Sequence, residues 1–250
     1  MRVLAFVCLA ALAAGCTLGP QARAIPYFTE VLEGAPFMSL VVEIDYAPGH
    51  APSDAAVTHL VDTLQNVTRK GDITVDAQQT LPDTPGQSWS VDALVKLEAS
   101  SRRHAHAAPV ALLHVLYPSG LFNGSVDVQG ITISGPTLGP VTVFLDAIHQ
   151  VDTGTPLPLL PAPAQEVALL ERHTLLHEAG HAMGLVDNGL APMRDHEDKA
   201  HPGHSSSKQS IMYWATDSVS ATRQLLLQDG SVADTFDNDD LLDLKSGGGK

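Results

Sequence analysis

The amino-acid sequence predicts an α/β fold in which helices pack against a sheet. Three observations support this prediction. Short runs rich in β-branched and aliphatic residues alternate with longer stretches of helical periodicity along most of the chain. The chain has 250 residues, of which 44% are hydrophobic, so it can bury one sizeable core. A long helix follows the strands, and this order of elements places that helix under the sheet.

The first strand and the first helix are well marked in the sequence. Residues 38–46 (MSLVVEIDY) are β-branched and partly alternating, as in a strand with one buried face. Ser53 can cap a helix that runs to about Lys70 and ends at Gly71. A short strand, a helix, a buried strand and two further strands are predicted at residues 73–75, 91–103, 109–117, 126–133 and 141–145.

The long helix is predicted over residues 164–185, after a proline-rich connector. Two of its histidines, His177 and His181, fall at helical spacing with apolar neighbours and therefore share one face. Beyond this helix the sequence is polar and irregular as far as Tyr213. A short terminal helix is predicted near residues 237–244.

The N-terminus has the pattern of an export signal. Arg2 supplies a positive charge, and residues 3–14 form an apolar run that is too short to span a bilayer. The small residues before Cys16 resemble a bacterial lipobox, whose cysteine becomes the lipidated first residue of the mature protein. The alternative is an ordinary secretory signal with an incidental cysteine. We expect a signal peptide over residues 1–16 and a tether over residues 17–36, which would anchor the protein by lipid at the bacterial cell envelope (the outer membrane in a Gram-negative cell).

The charge and the cysteine content exclude several classes of protein. The net charge of −14 argues against nucleic-acid binding and against electrostatic adhesion to anionic lipid. A membrane is therefore expected as a partner through the lipid anchor alone. Cys8 and Cys16 both lie in the signal segment, so no disulfide framework is expected in the exported chain. We expect a monomer.

The segment HEAGHAMGLVD, residues 177–187, carries the candidate chemistry. His177 and His181 are four residues apart on a helix, so their imidazoles can grip one tetrahedral metal ion such as Zn²⁺. Glu178 lies beside them, where a carboxylate can take a proton from water. Gly184 can end the helix with a positive φ, so that Asp187 could return as the third metal ligand.

This segment resembles the extended zinc motif of the metzincin metallopeptidases, HExxHxxGxxH/D, in the aspartate variant found in the snapalysins. The run Ser210-Ile211-Met212-Tyr213 resembles the metzincin Met-turn. The resemblance implies a twisted mixed sheet with packed helices, the active-site helix under the sheet, and a small irregular C-terminal lobe. It implies one metallopeptidase domain over residues 37–250, with lobes at 37–185 and 186–250.

The same resemblance implies the activity of a zinc metalloendopeptidase on peptide or protein substrates. Zinc-activated water would attack the peptide bond with Glu178 as general base, at one catalytic Zn²⁺ ion held by His177, His181 and Asp187. Tyr213 could stabilise the oxyanion, although in the relatives that use a tyrosine it stands two residues after the methionine rather than one.

Three alternatives stay open at this point. His196, His201 or His204 could replace Asp187 as the third ligand, and His204 is the best substitute because it lies nearest to the Met-turn. Asp195, Glu197 and Asp198 could hold a second, structural metal together with His196 or His201. The whole protein could also be a non-catalytic zinc-binding or zinc-scavenging lipoprotein, but such a protein has no use for Glu178.

Overall fold

The computed structural model describes residues 27–133, 140–150 and 163–250. The predicted signal peptide, Cys16 and most of the proline-rich connector lie outside the described residues. The strands within the described ranges are β1 Ser39–Tyr46, β2 Asp72–Gln78, β3 Ser88–Trp89, β4 Val110–Tyr117, β5 Leu121–Phe122, β6 Gly130–Thr132 and β7 Val141–Val143. The seven α-helices are α1 Tyr27–Leu32, α2 Asp54–Val67, α3 Val91–Ser101, α4 Leu145–Ile148, α5 Pro163–Ala182, α6 Val219–Asp229 and α7 Asn238–Ser246.

Five strands form the main sheet, in the order β2-β1-β4-β7-β6. The strands run parallel except for β6, which is antiparallel to β7 and lies at the edge of the sheet. In this register Glu43 of β1 lies beside His114 of β4. The predicted fold class is confirmed: the chain is a mixed α/β protein with a mostly parallel sheet and packed helices.

Helices cover both faces of the sheet. On one face, alternate strand residues such as Leu40, Val42 and Leu113 pack with α2 and α5 in the largest hydrophobic cluster. Helix α5 is buried over most of its second half, so it shows little amphipathic contrast there. On the other face, Leu94 of α3 packs with Trp89 and residues of the β7–α4 segment. The predicted position of the long helix under the sheet is observed.

The face under α3 also holds a buried ionic network. His114 is fully buried. Its Nε2 lies 2.7 Å from Asp45 Oδ2, and its Nδ1 lies 3.2 Å from Glu98 Oε1. The guanidinium of Arg103 lies 3.1 Å from Asp45 and within 3.8 Å of Glu43. Burial alone would lower the pKa of His114, but hydrogen bonds to the two carboxylates outweigh burial and raise the pKa. Arg102 also lies 2.7 Å from Glu98, so each of the three carboxylates faces a protein cation, and we interpret the network as structural rather than metal-binding.

Replacing His114 by phenylalanine should lower the free energy of unfolding by about 3 kcal/mol at pH 6, because it leaves buried carboxylates without a partner. The raised pKa means that the imidazolium stabilises the fold fully below about pH 6.5 and loses this effect as the pH rises through the folded-state pKa. The difference in the free energy of unfolding between the parent and His114→Phe should therefore be smaller at high pH. Denaturant unfolding at pH 6 and pH 9 measures this, with exposed His149→Ala as control. A gap that widens with pH would contradict the assignment.

Three helices, α1, α4 and α6, were not predicted from the sequence. Helix α1 falls inside the predicted tether, yet Val31 and Leu32 are fully buried and the Tyr27 hydroxyl donates a hydrogen bond to the carbonyl of Leu112. Residues 27–36 thus belong to the folded body. Helix α6 follows Ser218, whose side chain accepts a hydrogen bond from Ala221 N and caps the helix. Within the described residues, no helix is long and apolar enough to cross a membrane.

Candidate metal centre

Helix α5 presents three of the predicted residues together. The Nε2 atoms of His177 and His181 lie 3.1 Å apart, as the four-residue spacing predicts. The helix ends just beyond them, where Gly184 has a φ of +85°. An L side chain is strained at this angle, so glycine meets the expectation drawn from the motif.

The third side chain at this position is His204. Its ring centroid lies 5.3 Å from that of His177 and 4.9 Å from that of His181, and one ring nitrogen of each histidine lies within 4.8 Å of the other two. Backbone pairing holds the loop in place, because Ser205 N donates to the carbonyl of Met212 over 2.7 Å. His204 Nε2 is buried and has no hydrogen-bond partner among the described residues. An unpaired buried nitrogen is what a metal ligand would leave in a metal-free chain.

Asp187, the favoured third ligand, lies outside this group. Val186 and Asp187 both have positive φ values, +53° and +61°, and the Asp187 side chain is exposed. The next residue returns to the site instead: Asn188 Nδ2 lies 2.9 Å from His181 Nδ1 and 3.2 Å from the carbonyl of Gly203. The geometry therefore favours His204 over Asp187 as the third candidate ligand, because two successive left-handed residues alter the path that the spacing implied.

The other two candidate histidines are engaged elsewhere. His196 is buried and its Nε2 lies 2.9 Å from Asp243 Oδ2 on α7. The ring of His201 stacks on Trp214 at a centroid distance of 3.8 Å. Within the described part of the chain, residues 195–198 take part in no group of three potential metal ligands, so nothing in the geometry favours the predicted second metal there.

The protonation states of the histidines suit a metal ion. Burial lowers the pKa of His177 to about 4 and that of His181 well below its usual value. Both rings are thus neutral at physiological pH. The Nδ1–H of His177 donates to the carbonyl of Ile211 over 2.8 Å, which leaves the Nε2 lone pair free. Together with the His204 ring, these two imidazoles form a donor set that Zn²⁺ accepts.

The predicted Met-turn lies directly under α5. Tyr213 N donates to the carbonyl of Ser210 over 3.1 Å and closes the turn, and Met212 is fully buried. A Cβ atom on Gly180 would come within 2.4 Å of the Met212 sulfur. Glycine at this helical position, which costs about 1 kcal/mol relative to alanine, is thus explained by the close approach of the turn. The same turn carries the Ile211 carbonyl that orients His177.

Glu178 faces the edge strand β6. Its side chain is 3% exposed, and its Oε2 lies 2.8 Å from the hydroxyl of Thr132. Burial, together with the negative charge of Asp217, raises the pKa of Glu178 to about 8. The carboxyl group is therefore poised to exchange a proton near neutral pH.

An open cleft of about 330 Å³ runs over the candidate site. Both α5 and β6 contribute to its lining, together with the loop that carries His204; the lining residues are Phe122, Val128, Gly130, Ile131, Thr132, Glu178, His181, Asn188, Pro202, Gly203, His204 and Asp217. Tyr213, the predicted oxyanion stabiliser, lines a separate small cavity with Lys208, Leu225 and Asp229. The geometry therefore does not favour the predicted role of Tyr213.

The sequence did not point to three residues at this site. Asp217 is half exposed, and its Oδ1 lies 3.8 Å from His204 Nε2. Its carboxylate also forms a close group with His177 and Glu178. Thr132 and Asn188 contact Glu178 and His181 from other segments. None of the three stands at a motif spacing, so sequence carried no signal for them beyond the polar character of their segments.

No protein-family model matches the chain, and no curated protein matches it significantly. Among solved structures, the chain is similar to the crystal structure of archaemetzincin from Methanopyrus kandleri, with a TM-score of 0.48 and 14% sequence identity. The match covers 85% of this chain and 96% of that chain. At this distance the likeness says nothing about activity, which must follow from the residues of this chain.

Proposed function

We propose that the protein is a zinc-dependent endopeptidase that hydrolyses bonds in an extended peptide or protein. The observation that carries the proposal is the convergence of His177, His181 and His204 beside the carboxyl group of Glu178 in an open cleft. Three histidine side chains with a neighbouring carboxyl group suit a catalytic zinc site, which keeps a position open for water. The resemblance of residues 177–184 and of the Met-turn to the metzincins supports the same reaction.

Different residues of the chain would bind the metal ion and transfer the proton during peptide hydrolysis. His177, His181 and His204 would hold a single ion. Bound zinc supplies a Lewis acid, which makes water a better nucleophile and stabilises negative charge on the scissile carbonyl. Glu178 accepts the proton of the attacking water and delivers it to the leaving amine, a role that favours a carboxyl pKa near the working pH.

The edge strand β6 supports binding of an extended substrate. It ends the sheet beside the cleft, and Gly130, Ile131 and Thr132 line that cleft. A peptide can add to such an edge through main-chain hydrogen bonds, which tolerate many side chains. Glu178 and His204 line the same cleft, so an added peptide would pass the base and the metal ligands.

The setting proposed for this activity is the cell envelope. The N-terminal pattern supports export followed by lipidation at Cys16, with secretion of the free protein as the alternative. The net charge of −14 supports a partner other than nucleic acid. We expect the protein to act as a monomer on peptide substrates.

The direct test is cleavage of a mixed peptide library by the zinc-loaded protein. We expect cuts at internal bonds that are lost on chelation and restored by zinc but not by magnesium, because imidazole ligands select zinc over a hard cation. Mass spectrometry of the products would measure the cuts and their sequence preference. Tight zinc binding with no cleavage of any peptide would instead indicate the zinc-binding or zinc-scavenging lipoprotein.

A further inference from the structure

Strand β6 contacts the general base with two of its three residues. Gly130 and Thr132 are two positions apart, so their side-chain positions share one face of the strand. That face lies on Glu178. The Thr132 hydroxyl oxygen is 2.8 Å from Glu178 Oε2 and also 2.8 Å from the main-chain carbonyl oxygen of Glu178.

The Thr132 hydroxyl fixes one oxygen of the carboxyl group. A hydroxyl has one proton to donate and can also accept, so it serves Glu178 in either state of the carboxyl group. It donates to Oε2 of the carboxylate, or it accepts from the acid while donating to the Glu178 carbonyl. Within the described residues, no hydrogen bond reaches the other oxygen, Oε1. Oε1 is therefore the oxygen left for proton exchange.

Gly130 allows this close approach. A Cβ atom at residue 130 would lie 2.7 Å from Oε1 and Cγ of Glu178 and 2.7 Å from Cγ2 of Thr174. The strand backbone thus packs directly over the free oxygen. From the same face of β6, Gly130 therefore lies against Oε1 of Glu178 and the Thr132 hydroxyl contacts Oε2.

The main-chain N–H and C=O groups of Gly130 and Thr132 face the open edge of the sheet. Phe144 N donates to Gln129 O and Ile133 N donates to Pro140 O, so residues 129 and 133 bond to the β7 side. In an antiparallel pair these directions alternate, so the N–H and C=O groups of Gly130 and Thr132 point away from β7. The groups available to an added peptide therefore belong to the residues that confine Glu178.

We propose that Thr132 is a positioning residue, which orients the Glu178 carboxyl group through its hydroxyl and so couples the substrate-binding strand to the base. This inference rests on the proposed peptidase function. Thr132 contacts the base and not the metal ligands, so its loss should change the orientation of the base without changing the affinity for zinc. Misplacement of a reacting group by about 1 Å can cost on the order of 100-fold in rate.

The test compares Thr132→Val, which removes the hydroxyl at nearly constant shape, with Thr132→Ser, which keeps it. We expect Thr132→Val to lower kcat about 10- to 100-fold with KM within about twofold, and Thr132→Ser to retain most of the parent kcat. Zinc affinity, measured by competition with a chelator, should be the same in all three proteins. Equal losses in the two variants would overturn the proposal, because the retained hydroxyl of Thr132→Ser would then make no difference.

A second readout needs neither zinc nor activity. Crystals of metal-free Thr132→Val should show the Glu178 carboxyl group in more than one rotamer, whereas the parent and Thr132→Ser should show one. An unchanged single rotamer in Thr132→Val would overturn the proposal. Because this measurement is independent of cleavage, it judges the role of Thr132 even if the parent hydrolyses no peptide, an outcome that would contradict the proposed function alone.

Discussion

Replacing Glu178 by glutamine should reduce peptide hydrolysis by about 10³-fold or more while zinc remains bound. The amide keeps the shape of the side chain and can still pair with the Thr132 hydroxyl, but it cannot accept a proton from water. The three imidazoles that are proposed to hold the metal are unchanged. Rates on a peptide identified from the library, together with a zinc titration, measure the two properties separately.

The matched control for this variant is Glu171→Gln. Glu171 is a buried glutamate on the same helix, but it accepts a hydrogen bond from Ser53 N and does not line the cleft. We expect it to alter stability and leave hydrolysis within about threefold of the parent. If Glu178→Gln kept most of the activity, the base would have to be another group, and the half-exposed Asp217 would be the first to examine.

Replacing His204 by alanine should weaken zinc binding by about 10³-fold, whereas Asp187→Ala should bind zinc much as the parent does. His204 brings an unpaired, buried ring nitrogen to the other two histidines, whereas Asp187 is exposed and outside the group. Removing one of three ligands takes away a bond that the remaining two cannot replace. Titration against a chelator of known affinity measures both variants under one set of conditions.

His201→Ala serves as the control for the loop that carries His204. Its ring stacks on Trp214, so the substitution perturbs the same loop without removing a nitrogen from the group. A loss of zinc affinity in His201→Ala as large as in His204→Ala would mean that loop order, rather than ligation, sets the affinity. A larger loss in Asp187→Ala than in His204→Ala would restore the aspartate assignment made from the motif spacing.

The sequence was informative where structure is local. Helical periodicity places His177, Glu178 and His181 on one helix because the side-chain positions follow from 3.6 residues per turn. The need for a positive φ at Gly184 is also a property of its own peptide unit. The strands β1, β2 and β4 and the helices α2 and α3 follow from patterns a few residues long, and they give the fold class.

The rest of the site depends on contacts between distant segments. His204 reaches the other histidines because the backbone of Ser205 pairs with Met212, and no repeat in the loop encodes that pairing. Thr132 contacts Glu178, which lies 46 residues further along the chain. Helix α1 was assigned to a tether because its six residues stand among prolines and glycines, although its burial in the core involves the carbonyl of Leu112, 85 residues from Tyr27. Such pairings are tertiary and leave no periodic mark on the sequence.

The packing of Met212 against Gly180 also governs how the site would withstand oxidants. The Met212 sulfur is fully enclosed beneath α5, and a sulfoxide oxygen would need space that the helix backbone already fills. Met38 and Met193 are more than half exposed, so peroxide meets their sulfurs first. Oxidative damage would thus fall on surface methionines that the site does not use. The thioether under the metal ligands would stay reduced for as long as the helix and the turn remain in contact.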